Sequence, residues 1–132
     1  MNFVLAGPAL VTLGTCVLLF MCAWHVGRMR MKHKVVPPAT SGPVEFEIAM
    51  RIQMNTLENT VMMLPVLWLA AMFFSPLWAS LAGALWLAGR AWYAVAYAQE
   101  AKRRGGGFMV GMIGWAALMV MSTWGIVRAA LA

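Results

Sequence analysis

Charged side chains are scarce in this chain. Lys, Arg, Asp and Glu make up 11% of its 132 residues, and only four of them are acidic. Hydrophobic residues reach 63% and mean hydropathy is +0.77. A soluble domain carries about a quarter charged residues, so this composition excludes an ordinary water-exposed surface and points to an integral membrane protein. Cysteine is nearly absent: Cys16 and Cys22 lie six apart in one apolar run and point to different sides of a helix, which excludes a disulfide framework. Histidine is limited to His25 and His33, without the spaced companions of a metal site, so no metal is expected. No positive segment precedes the first apolar run, which therefore reads as a retained span and not a secretory leader. Nucleic acid is excluded as a partner despite the net charge of +6, because basic residues need a soluble face to grip it.

What is present is four long apolar segments. The expected organisation is one domain over 1–132, with spans at about 3–27, 46–74, 77–101 and 108–130. Phe3 to Trp24 contains no charged residue and is long enough for about 30 Å of hydrocarbon. Ser75-Pro76 marks a tight connection, Pro65 is expected to kink the second span, and Gly105-Gly106-Gly107 is expected to break the chain before the fourth. Seven of the ten Lys and Arg cluster as Arg28-Arg30-Lys32-Lys34 and Lys102-Arg103-Arg104, beside span ends. The positive-inside rule then puts loops one and three in the cytoplasm and both termini on the other side. Short turns between antiparallel spans give an all-α, up-down-up-down four-helix bundle. Loop one, roughly Arg28 to Glu45 with Pro37-Pro38 and Gly42-Pro43, is expected to be ordered and extended.

Two polar stripes interrupt this apolar pattern. Span two carries Arg51, Gln53, Asn55, Glu58 and Asn59, and helical spacing brings Arg51, Asn55 and Glu58 into one stripe. Each charge within hydrocarbon costs about 2.5 kcal/mol or more, so such residues face a neighbouring helix or a wet cavity. Span three carries Arg90, Tyr93, Tyr97 and Glu100, with Arg104 following. Steps of three and four keep these on one face if the helix runs unbroken to Arg104. Together the stripes supply guanidinium groups for carboxylates, a carboxylate for an ammonium, amides for peptide groups, and phenols. Glutathione, with two carboxylates, one ammonium, two amides and a thiol, fits that inventory. The alternative is purely structural: Arg51 with Glu58, and Glu100 with Arg104, could satisfy each other.

These residues give the chain a resemblance to the MAPEG family, the membrane-associated proteins of eicosanoid and glutathione metabolism. The similarity rests on Pro37-Pro38, Gly42-Pro43, Glu45-Phe46, then Arg51, Asn55 and Glu58, and later Arg90-Ala-Trp-Tyr93, Tyr97 and Arg104. It resembles most the leukotriene C synthase and microsomal glutathione transferase branches. The resemblance implies a homotrimer of four-helix subunits with glutathione at each subunit interface. It implies glutathione contacts from Arg51, Asn55, Glu58, Tyr93, Tyr97 and Arg104 of one subunit, and from Arg30 and Gln53 of its neighbour. Arg104 is implied to stabilise the thiolate. Asn59 stands where the synthase branch commonly has tyrosine, and can still hydrogen-bond the peptide. Met31 replaces an arginine tied to the lipid substrate, so no eicosanoid is assigned.

The resulting expectation is a membrane-bound glutathione transferase, with glutathione-dependent peroxidase activity as a variant of the same chemistry. Its second substrate would be a hydrophobic electrophile or lipid entering from the bilayer. A non-catalytic lipid-binding or scaffold protein of the same fold is the alternative; the family has such a member, and it lacks the arginine matching Arg51. A small transporter, which would show flux across vesicles and no thiol chemistry, is a third.

Overall fold

The computed structural model describes residues 3–132; Met1 and Asn2, the start of the expected domain, lie outside the described residues. A single 3-10 turn leads into α1 (Ala6–His33), followed by α2 (Val44–Phe73), α3 (Pro76–Gln99), a second 3-10 turn at Ala101–Arg103, and α4 (Arg104–Leu131). All regular structure among the described residues is helical. Three helical segments, Ala6–His33, Val44–Phe73 and Ala101–Leu131, combine the length and apolarity needed to cross a membrane. The fourth helix, α3, has 24 residues and packs against all three others.

The helix ends follow local chemistry. At about 1.5 Å per residue, the 28 residues of α1 extend about 42 Å, beyond the roughly 30 Å of hydrocarbon. The excess carries Arg30 and Lys32, whose positive charge complements the negative end of the helix dipole, and ends at His33. The basic cluster placed in loop one by sequence is thus mostly helical, and the connection shrinks to 34–43. Glu45 and Glu47 occupy the first turn of α2, where the dipole favours acids. Glu45 also ties the two helices together, with Lys32 Nζ and His33 Nε2 each 2.8 Å from its carboxylate. Ser75 is extended and Pro76 opens α3, as a proline at the first helical position does. Pro65 stays inside α2.

Two sequence expectations change at the junction of α3 and α4. Helix α3 does not run to Arg104: Glu100 is extended (φ −154°, ψ 118°) and Arg104 begins α4. The break falls in the charged run Glu100–Arg104, where the chain leaves the apolar layer and freed backbone groups can meet water. Glu100 pairs with Arg103, at 3.2 Å, and not with Arg104. The glycine run does not break the chain either; it forms the first turn of α4. Glycine in a helix costs about 1 kcal/mol relative to alanine, and close packing of the two backbones offsets it here. A Cβ on Gly107 would lie 2.7 Å from both Tyr93 Cα and Gly89 O; one on Gly114 would lie 2.7 Å from Trp86 N.

The interior divides by depth. Near the Ser75-Pro76 turn, Val11, Met63, Leu67, Ala70, Ala79, Trp86 and Leu118 form the main apolar core. Towards the opposite, basic end the packing passes to Cys22, Ile52, Tyr93 and Tyr97, then to Val26, Met29, Phe46 and Ala49. The outer surface carries large apolar side chains such as Leu10, Phe20, Trp78, Leu85 and Trp124. A water-soluble monomer rarely exposes so continuous an apolar surface. Lipid is its natural solvent.

Because Gly107 sits against backbone, Gly107→Ala must push α4 from α3 and should destabilise the protein by about 1–3 kcal/mol. Gly105→Ala meets nothing within 4 Å and should be neutral or slightly stabilising. Thermal melts of the two variants in one detergent check this contrast.

Candidate functional site

At the basic end of the bundle α2, α3 and α4 leave a cavity of about 280 Å³, lined by Arg51, Asn55, Tyr93, Tyr97, Arg104, Gly105 and Phe108. Arg51 and Asn55 are one turn apart on α2, so both face the same side; Tyr93 and Tyr97 repeat that spacing on α3. Arg104 arrives by a different route from the one its spacing suggested. The reversal between α3 and α4 returns it to the tyrosines, with its guanidinium carbon 5.2 Å from the Tyr97 ring centroid. The two phenol rings pack edge-on at 5.6 Å, and Phe108 abuts Tyr93 at 6.3 Å. No carboxylate lines the cavity. Two guanidinium groups, that of Arg104 over the Tyr97 ring, beside three aromatic side chains give the cavity chemistry suited to an anion with apolar parts.

Behind this wall lies Arg90, only 1% exposed. Its Nη2 donates to Asn55 Oδ1 at 2.9 Å and to Thr56 Oγ1 at 2.9 Å. Its guanidinium carbon stacks 4.1 Å from the Tyr93 ring centroid. Nε and Nη1 have no partner. Burying an ion costs several kcal/mol even after relaxation. Two hydrogen bonds at about 1.5–3 kcal/mol each, and a desolvated cation–π contact of about 2 kcal/mol, bring that penalty within reach. The positive charge itself is left without a counter-ion among the described residues.

Four other sequence-selected residues do not line the cavity. Arg30 folds onto its own loop, donating to Ala39 O at 2.8 Å with its guanidinium carbon 4.9 Å from the Phe46 ring centroid. Gln53 is half-buried and Glu58 exposed. Asn59 is buried and donates to Asn55 O, one turn back, at 2.8 Å. Among the described residues Arg51 and Glu58 form no ion pair, so they do not neutralise each other.

Comparison with known proteins places the chain. The model of the MAPEG family matches residues 8–124, which includes every residue lining the cavity. The chain belongs to the MAPEG family. Among its relatives, an uncharacterized protein of Synechocystis is 43% identical over 113 residues, covering 86% of this chain and 82% of its own. Microsomal glutathione S-transferase 2 of Mus musculus is 38% identical over 104 residues, 79% of this chain and 71% of its own. Leukotriene C4 synthase of Cavia porcellus is 38% identical over 96 residues, 73% of this chain and 64% of its own. Membership in this family, with the apolar helices, makes the chain an integral membrane protein.

In this MAPEG chain the structure adds two residues that spacing did not single out, Phe108 on the cavity wall and Thr56 behind it. Phe108 stands one turn after Arg104 on α4, so the same four-residue rule would have found it had α4 been started at Arg104. Thr56 faces the interior between Arg51 and Asn59, and carries no charge to draw notice. Its role is visible only once Arg90 is placed beside it.

Proposed function

We propose that this MAPEG protein is a membrane-bound glutathione transferase, joining the glutathione sulfur to hydrophobic electrophiles that reach it from the bilayer. The observation that carries this reading is the carboxylate-free cavity where Arg51, Asn55, Tyr93, Tyr97 and Arg104 meet. Its relatives named as a glutathione S-transferase and a leukotriene C4 synthase support it. In this reading Arg51 grips a glutathione carboxylate, Asn55 and the phenols hold the peptide, and Arg104 faces the sulfur. A thiol with an ordinary pKa of about 8.5 is mostly protonated at neutral pH, and an adjacent guanidinium favours the thiolate. The thiol proton leaves to solvent. The thiolate then forms the sulfur–carbon bond as the leaving group departs with the electrons of its own bond.

A single subunit gives an incomplete site. The cavity is at the small end of ligand pockets, which run from about 300 Å³ upward. Arg51, Met54, Leu57 and Glu58 form an outward face of α2, and leaving Glu58 against lipid would cost several kcal/mol. We place a second copy of the chain against that face, its Arg30 and Gln53 reaching the same glutathione, in a closed trimer. The glutamate is then free for the glutathione ammonium, and Asn59 lies close enough to support the peptide through Asn55. All four helices cross the bilayer, with the basic end of the bundle in the cytoplasm.

Calorimetry of the detergent-solubilised protein with glutathione, beside conjugation to a model aryl halide, tests the assignment. Arg51→Ala should weaken binding by about 1.5–3 kcal/mol, roughly ten- to a hundred-fold in Kd, with kcat little changed. Arg104→Ala should lower kcat by about a hundred-fold or more while glutathione stays bound. Equal binding and turnover in all three proteins would overturn the proposal.

Native mass spectrometry tests the assembly. Three chains with up to three glutathione molecules are expected. A monomer that binds glutathione with full affinity would contradict the shared site.

A further inference from the structure

Arg90 neither lines the cavity nor meets a carboxylate, yet it is the most deeply buried charge among the described residues. Its contacts decide how Asn55 presents itself. A guanidinium only donates, so the Asn55 atom 2.9 Å from Arg90 Nη2 must be the carbonyl oxygen. Asn59 Nδ2, also a donor, lies 3.5 Å from the same oxygen. Two donors at one oxygen fix the amide in one orientation, and the Asn55 amide N–H group has no protein partner among the described residues.

We propose that Arg90 is a positioning residue: it consumes the Asn55 carbonyl so that this wall of the cavity offers an N–H donor to a peptide carbonyl or carboxylate oxygen of glutathione. The inference rests on the glutathione reading above and goes further by assigning the polarity of one contact. It also explains why a fork, not a point charge, occupies position 90. Nη2 must reach Asn55 and Thr56 at once while the guanidinium plane lies against Tyr93, and a lysine ammonium cannot stack in that way. The arrangement discriminates: a guest presenting a donor at this wall meets another donor.

Two variants on either side of the hydrogen bond test this in the full chain. Asn55→Asp keeps the shape and turns the Arg90 contact into an ion pair, but replaces the amide NH2 donor with an oxygen. It should retain the melting temperature and raise the calorimetric Kd for glutathione by about tenfold or more. Arg90→Lys keeps the charge and loses the fork. It should raise KM for glutathione by about tenfold while kcat and the KM for the aryl halide stay within about threefold, a split that general loosening of the fold would not produce. Wild-type affinity in Asn55→Asp would overturn the donor assignment. An Arg90→Lys form with unchanged KM, or with only kcat lowered, would overturn the positioning role. If Arg90→Lys does not fold, Asn55→Asp decides alone. Failure of the unaltered protein to bind glutathione would instead bring down the transferase reading, a distinguishable result.

Discussion

Moving a guanidinium group from water into an apolar helix bundle costs several kcal/mol unless its donors find acceptors and its charge finds a counter-ion. Arg51, Arg90 and Arg104 gather around one end of the α2–α3–α4 packing, while none of the described carboxylates lines the cavity there. Glu45 and Glu47 start α2, Glu58 faces outward, and Glu100 pairs with Arg103. The hydrogen-bond half of the requirement is met for Arg90 by Asn55 and Thr56. The charge half is not met among the described residues. In the proposed function an anionic guest supplies it, and this imbalance connects the fold to that chemistry.

The imbalance is useful only if the cations stay where they are, and that depends on how closely α3 and α4 pack. Gly89, Gly107 and Gly114 let the backbones touch, so the α3 tyrosines and the start of α4 form one rigid wall. Tyr93 serves both sides of that wall: one contact is with the buried Arg90, the other with Phe108 beside the cavity. A shift of either helix would move Arg104 relative to the tyrosines, and positional errors of about 1 Å can cost two orders of magnitude in rate. Stability and site geometry share the same glycines.

Much of the all-helical architecture was legible because long charge-free runs have few solutions. Proline and serine at 75–76 left little choice for the sharp turn between α2 and α3. The pairs Arg51–Asn55 and Tyr93–Tyr97 were legible for a related reason, since four-residue spacing fixes a shared face whatever the tertiary packing. The path to Arg104 was not. Helix periodicity carried it along α3, whereas the chain breaks at Glu100 and returns it on α4. The glycine run misled because intrinsic propensity says break, while the gain from backbone contact appears only when α3 is present. Arg90 hid in plain view: spacing placed it on the right face, but its hydrogen bond to Asn55 appears only in the tertiary packing. Arg30, Gln53 and Glu58 do not reach the cavity within one chain: Arg30 folds onto its own loop, Gln53 is half-buried and Glu58 faces outward.

The central claim is that cations held without internal counter-ions lower the cost of a thiolate at this site. The most direct measurement is the ultraviolet thiolate absorbance of glutathione bound to the intact protein, followed against pH. The account predicts that the bound thiol ionises at a lower pH than in free solution, and that substitution of Arg104 by alanine largely removes the difference. A bound thiol that titrates like the free tripeptide would contradict it.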